Sequence, residues 1–293
     1  VEIELDYNAF KNKDWSVSVG ANATFVKNKI KNLPATMKEN GYISGSKKWL
    51  EGKSIYEFWL RQWHGVDPQT GDGLYVADVS KYNQGNIGTG DGNITQSQFD
   101  EYKKTVVTID GKELTNSYTY AKYDFSGSSI PDVFGGFNVR VSYKNFDLAA
   151  VFSYQLGDQV LDTNYATMMS MTEFGYAQSP DLLKAWKQAG DITEVPRIDN
   201  SAAHTTNIGQ SYSTRWLTSS DYLNLRSVTI GYQFPKAWLS KVMLKSARLN
   251  LTAENLFMLK ARQGLNPMAN YSGVTYNEYM PSRNITLGLN VSF

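Results

Sequence analysis

The chain of 293 residues contains no cysteine and only 2 histidines. Without thiols there is no disulfide framework, no thiolate zinc site and no cysteine nucleophile. His64 and His204 are far apart in sequence, so a metal or catalytic pair would need a strand end and a distant loop to converge. No Gly-x-Ser-x-Gly elbow is present either. Catalytic and metal-ligating residues are therefore expected to be none, and the chain is expected not to be an enzyme. Charge of one sign is also missing. Lys and Arg number 29 against 28 Asp and Glu, a formal net charge of +1. This gives no electrostatic case for nucleic acid, whose binders carry a basic excess. The longest apolar run, Leu148-Ala-Ala-Val-Phe152, is far short of the roughly 18 residues of a membrane-spanning helix. Val1 opens directly into strand-like sequence with no basic leader. That fits a cytosolic, mature or partial chain, and the rest of the sequence favours a partial one.

Helical periodicity is scarce. Pro180 to Ala189 reads as a short helix with proline in its first turn and Gly190 after it, and another is possible between Val160 and Thr172. Elsewhere the period is two. From Arg283 to Phe293, one face holds Ile285, Leu287, Leu289, Val291 and Phe293, and the other Asn284, Thr286, Gly288, Asn290 and Ser292. The same alternation runs through Trp15 to Val26, Phe137 to Tyr143, Phe146 to Leu156, Val228 to Phe234 and Ala247 to Phe257. Its phase slips between Leu225 and Val228, which predicts a bulge. About nine strands are expected, at 1–10, 14–28, 53–66, 73–79, 136–144, 146–157, 222–234, 245–257 and 283–293. Short gaps (11–13, 67–72, Asn145 and 235–244) alternate with long ones (29–52, 80–135, 158–221 and 258–282). Short turns at one end and long loops at the other are the rhythm of an outer-membrane β-barrel.

Aromatics are abundant, with 7 Trp, 19 Tyr and 13 Phe. They gather where strands meet the short gaps: Tyr7, Phe10 and Trp15; Trp59, Trp63 and Tyr75; Tyr143 and Phe146; Tyr232, Phe234 and Trp238; then Phe293. A belt at one level suits a membrane–water interface, although strands are rich in aromatics generally. On the polar faces, Arg140, Lys144, Arg226, Arg248, Glu254 and Arg283 would point into a lumen. Facing lipid near its midplane, each would cost roughly 2–4 kcal/mol. Solvation of a watery interior is the simpler role for them, and substrate contact the bolder one. Trp49, Tyr165, Tyr176, Trp186 and Tyr271 in the long gaps are candidates for stacking on sugar rings, with plain loop packing or contact with a covering protein as the alternative. Gly88 to Thr95 invites a calcium-loop reading. If Gly92 takes the invariant glycine position of an EF-hand, however, the first and last ligand positions fall on Ile87 and Gln98, so calcium in the 88–95 loop is not expected and no cofactor is implied.

Four blocks then resemble one family. They are Glu51-Gly-Lys-Ser-Ile-Tyr-Glu-Phe-Trp59 with Gly65-Val-Asp-Pro-Gln-Thr-Gly71; Ile130-Pro-Asp-Val-Phe-Gly-Gly136 with Tyr143-Lys-Asn-Phe-Asp-Leu148 and Tyr154 to Gly157; Tyr222 to Tyr232 with Pro235-Lys-Ala-Trp-Leu239; and Ala253-Glu-Asn-Leu-Phe257 with Arg283 to Phe293. In that order they resemble the C-terminal part of a SusC/RagA-type TonB-dependent outer-membrane transporter of the Bacteroidetes. The resemblance implies an all-β fold, a transmembrane antiparallel barrel of 22 strands, with residues 1–293 supplying its C-terminal part and long extracellular loops. It places the plug and TonB box outside this chain and the protein in the bacterial outer membrane. It implies a SusD-like surface lipoprotein as lid, the TonB complex as energy source through the N-terminal region, and oligosaccharides or peptides as cargo. Terminal Phe293 resembles the signal read by the barrel-assembly machinery. Nine strands cannot close so wide a barrel, so the others would come from elsewhere in the polypeptide. Two other classes stay open: a self-contained small barrel with a structural or adhesive role, and a soluble carbohydrate-binding β-sandwich.

Overall fold

A computed structural model describes residues 1–170, 175, 177–199, 201–209, 212–268 and 271–293. Apolar–polar alternation produces seven long strands: β1 (Glu2–Lys11), β2 (Trp15–Thr24), β3 (Val133–Tyr143), β4 (Phe146–Leu156), β5 (Tyr222–Gln233), β6 (Ser246–Glu254) and β7 (Asn284–Ser292). They join in sequence order into one antiparallel sheet, with Met258–Lys260 added beside β5. Most strand lengths fall at the 9–11 residues that a tilted membrane strand needs. The bulge foreseen near Leu225 is present: Val151 pairs with Ser227 and Phe152 with Leu225, which leaves Arg226 as the extra residue.

Register carries the apolar face across the whole wall. One row runs Tyr7, Val19, Val139, Ala150, Val228, Ala253, Ile285, one residue per strand. The row below runs Phe10, Val17, Val141, Leu148, Ile230, Leu251, Leu287. Among the described residues nothing covers this face: Leu5 is 64% exposed and Leu287 68%. A soluble sandwich would bury such rows against a second sheet, so that architecture is not the one formed. The opposite face is polar, with a row of Asn8, Ser18, Arg140, Ala149, Thr229, Thr252 and Thr286.

The short connections carry the aromatic belt. Asn12 caps the first, its side-chain oxygen accepting from the backbone N–H of Asp14 and Trp15. The second is the pair Lys144–Asn145, with Lys144 left-handed at φ 52°. Lys144 is thus a turn residue and not a strand-face one. The third, 234–245, holds the helical turn Lys236–Leu239. Around them Trp15 lies on Tyr143 (4.3 Å between ring centroids), Phe146 on Tyr232 (4.4 Å) and Tyr232 on Phe234 (5.1 Å).

All the long connections, 25–132, 157–221 and 255–283, leave the other end of the wall. Here two expected wall strands move. Glu57–Arg61 pairs with Tyr123–Ser128 and Lys47–Trp49, while Trp63–Val66 and Gly73–Val76 form a sheet with Lys112–Thr115 and Val106–Ile109. Residues 53–66 and 73–79 are therefore loop strands. The Asp67–Asp72 gap is a loop turn, and Trp59, Trp63 and Tyr75 do not belong to the belt. The physical reason is that alternation reports one apolar face but not the medium it meets. Phe58 and Leu60 do alternate with Trp59 and Arg61, yet both are fully buried in protein. Their core gathers Leu161, Ala166, Met169, Leu182, Trp216 and Val274, so all three long loops fold as one layer.

Two helices differ from expectation. Pro180–Lys184 is a short 3-10 turn and stops at Ala185. Beyond it the Trp186 indole N–H donates to the Pro68 carbonyl (3.0 Å), which pulls the chain away from a helical path. Gln96–Thr105 is a helix that hydrophobic periodicity did not show, although its capping box, Thr95 with Gln98, stands in the sequence.

Glycine on the polar face makes room for a cross-wall ion pair. The Arg248 guanidinium on β6 reaches Asp147 on β4 (2.7 Å) by passing over Gly231 of β5. A Cβ at Gly231 would overlap the guanidinium and both Asp147 carboxylate oxygens. Gly231→Ala is expected to displace this bridge and lower wall stability by about 1 kcal/mol, the upper range for a solvated pair. Urea titration of the vesicle-folded protein measures it, and the loss should vanish in an Arg248→Ala background.

Candidate functional site

The polar wall face and the loop layer hold the chain's convergent polar groups. Of the wall candidates, Arg140 is on the polar row described above. Arg226 occupies the bulge and lines a cavity of about 340 Å³ with Asn22 and Ser153. Arg248 also donates from Nε to Asn250 (2.7 Å), and Glu254 accepts from Asn284 (3.2 Å) across to β7. All four sit on the face opposite the apolar rows.

The loop aromatics take more varied places. Trp49 packs against Tyr42 at 5.4 Å on a loop hairpin. Trp186 clamps the Asp67–Asp72 turn, where Gly71 at φ 74° leaves space for the indole. Tyr271 is 64% exposed, and its carbonyl accepts from the Ser129 hydroxyl (3.0 Å). Tyr165 is the most connected. Its phenol donates to Asp181 (2.7 Å), its ring meets Trp216 edge-on, and the Arg262 guanidinium lies 3.5 Å from its centroid. Burial, reinforced by the Asp181 hydrogen bond, pushes its pKa up to about 12. Tyr165 is a shared wall of two cavities, one of about 390 Å³ beside Arg262 and one of about 310 Å³ beside Arg215. Tyr176 lies outside the described residues.

Other polar groups of the layer were not legible as site residues. Arg262 is ion-paired with Asp162. Arg215 stacks against Trp63 and Trp216; the adjacent cation and indole in Arg215-Trp216 were its only trace in the sequence. Another cavity, about 620 Å³, is lined by Asp72, Arg197, His204 and Asn207 among others. There His204 is buried, with Nε2 2.8 Å from the Arg197 carbonyl and Nδ1 3.7 Å from Asp72. His64 lines a different cavity, so the histidines stay apart. In the 88–95 loop, backbone bonds join Gly88 to Ile94 and Gly90 to Asn93. Among the described residues, no three His, Cys, Asp or Glu side chains gather into a metal-binding group.

Lys47 is a half-buried amine that fastens loop segments together. Its Nζ donates to the Tyr56 carbonyl and the Ser129 hydroxyl, both at 2.8 Å, over the face of Phe58. Burial lowers its pKa to about 7. Below pH 7 the amine is charged in both folded and unfolded chains. Between pH 7 and the unfolded value of 10.5 the unfolded chain binds more protons, so stability rises with pH across that window. Melting curves of the loop layer should show that rise, and Lys47→Met should flatten it.

Comparison with known proteins fits this geometry. No family model matches the chain. TonB-dependent receptor P3 of Formosa agariphila is 25% identical over 310 residues, covering 100% of this chain and 28% of that protein. TonB-dependent receptor P39 of the same organism is 24% identical over 341 residues, covering 99% and 31%. The solved RagAB peptide transporter superposes with a TM-score of 0.76 at 22% identity, over 100% of this chain and 29% of that one. The chain is similar to a segment of these TonB-dependent receptors and shares the fold of the corresponding part of the RagAB peptide transporter. It spans under a third of the length of the curated relatives it matches. The seven-strand sheet is therefore outer-membrane barrel wall: the uncovered apolar rows meet lipid, the polar face meets the lumen, and the long loops form the extracellular side. The similar proteins are receptors and transporters.

Proposed function

We propose that this chain forms the C-terminal wall and extracellular loop layer of an active importer of oligosaccharides or peptides. The observation that carries the reading is the division of labour in one segment. A wall with unbroken apolar rows outside and polar rows inside is crowned, at one end only, by a folded layer with several cavities. A wall alone would serve an adhesive or structural barrel. Convergent polar cavities at the mouth serve capture. Arg140, Arg226, Arg248 and Glu254 line the passage, while Trp49, Tyr165 and Tyr271 are the described loop aromatics available to cargo or lid. A SusD-like surface lipoprotein closes over the loops, and TonB acts through the plug region carried elsewhere in the polypeptide. The chemistry is transport without catalysis, and no cofactor takes part.

Deletion of the full-length gene, with growth compared on oligosaccharide and on peptide as sole nutrient, tests this. Loss of growth on one of them, restored by the gene and abolished by a proton uncoupler, is the expected result. Undiminished growth on both, or uptake indifferent to the uncoupler, overturns the reading. Co-purification of a surface lipoprotein with the receptor tests the lid.

A further inference from the structure

The described loop arginines differ in how their charge is met. Arg197 pairs with Asp72 and Asp199, and Arg262 with Asp162. Arg215 has no carboxylate oxygen within 4 Å among the described residues. Its guanidinium lies against two indoles, 4.7 Å from the Trp63 centroid and 4.3 Å from Trp216. One N–H donates to the Ile208 carbonyl (3.0 Å). Burial draws its pKa down to about 10, which still leaves it cationic at neutral pH. The adjoining cavity of about 310 Å³ is also lined by Glu194, Thr214, Tyr165 and His64.

The support around this charge is rigid. Trp63 meets fully buried Tyr75 edge-on at 5.1 Å. The Tyr75 hydroxyl in turn donates to the Asn207 carbonyl (2.7 Å). The Trp63 backbone N–H donates to the Thr214 hydroxyl (2.9 Å), and Trp216 belongs to the loop core. A cation sunk in protein is unfavourable unless something compensates it. Two indole faces compensate in part through their quadrupoles. The N–H bonds of a guanidinium lie in its own plane, so its remaining donors are met at the edge. An edge-on guanidinium presents parallel N–H groups that match two oxygens of one oxyanion. The cavity volume is at the small end for ligand sites, room for one sugar or one amino-acid residue.

We propose that Arg215, flanked by Trp63 and Trp216, forms an oxyanion subsite in the loop layer that takes the carboxylate or sulfate of a single sugar or peptide residue. Glu194 in the same cavity disfavours loosely held anions and leaves the guanidinium edge as the favourable place. The subsite requires only the folded loop layer. It is measured without TonB or lid, so its failure and the failure of the import reading are separate results.

The test is a titration of the full-length receptor in detergent, read by tryptophan emission because two indoles flank the site. Probes are glucuronate, glucose 6-sulfate, N-acetyl-dialanine and its C-terminal amide, with glucose as the neutral control. Saturable quenching by the anions and none by glucose or the amide is expected. Response to glucuronate and the dipeptide alone assigns the site to carboxylates, and response to the sulfate ester as well assigns it to oxyanions in general. Arg215→Gln should weaken binding about ten- to a hundredfold, as loss of a charged hydrogen-bond donor does. Arg215→Lys keeps the charge, loses the fork and should be intermediate; it decides the matter if the glutamine variant does not fold. Trp63→Phe should reduce the quench while the protein still binds. No saturable anion binding, equal binding of glucose, or unchanged affinity in both Arg215 variants overturns the proposal.

Discussion

Val139→Arg should destabilise the folded receptor by roughly 2–4 kcal/mol, the range for arginine facing lipid near the midplane of a barrel. Val139 is in the middle of β3, on the apolar row shared by all seven strands, four residues from Tyr143 in the aromatic belt. Its neighbour Arg140 is already an arginine, yet it points to the polar face beside Ser18 and Ala149. The matched control Asn138→Arg adds the same charge one residue away and should change stability by less than about 1 kcal/mol, because the lumen solvates it. Denaturant unfolding from lipid vesicles, together with the yield of heat-modifiable barrel in outer membranes, reads both. Equal penalties at 138 and 139 would mean that the apolar rows do not meet lipid.

Phe58→Ala should cost about 3–5 kcal/mol, the range for truncating a fully buried aromatic ring. The loss should fall on the loop layer and leave the wall folded. Phe58 has no exposed surface, packs in the core with Leu161, Trp216 and Val274, and lies beneath Lys47 and Gly273. Limited proteolysis should therefore cut within 25–132, 157–221 and 255–283 together, while the wall keeps its resistance to detergent. Cleavage confined to the first of these loops would show that the layer is not one cooperative unit.

The wall was legible because a membrane strand is specified residue by residue. Ile285, Leu287, Leu289 and Val291 had to share a face, and the phase slip after Leu225 had to be absorbed somewhere; Arg226 absorbs it. The loop layer was less legible. Its strands alternate as the wall strands do, so Phe58 and Leu60 look like lipid-facing residues until the partners from other loops are known. Trp186 ended a helix that local sequence favoured, through one hydrogen bond to a carbonyl more than a hundred residues away. The aromatic candidates were recognisable as loop aromatics, yet nothing local separates a clamp such as Trp186 from an open ring such as Tyr271. Arg215 was silent for a related reason: its setting depends on Trp63, which arrives from a distant loop.

The loop core also has a kinetic consequence. Phe58 and Val274 meet in it although more than two hundred residues separate them in the chain. Closing so long a loop is entropically unfavourable, so contacts of this kind form late. The hairpins β1–β2, β3–β4 and β5–β6, each closed by a short connection, can form first. The layer can consolidate only after β6 has delivered 255–283 to the correct end of the wall. A register slip in any strand between would hold the two halves of the core apart. Loop burial then reads out whether the wall was assembled in order, and a chain that fails this check would leave Phe58, Leu60 and Trp216 exposed to water.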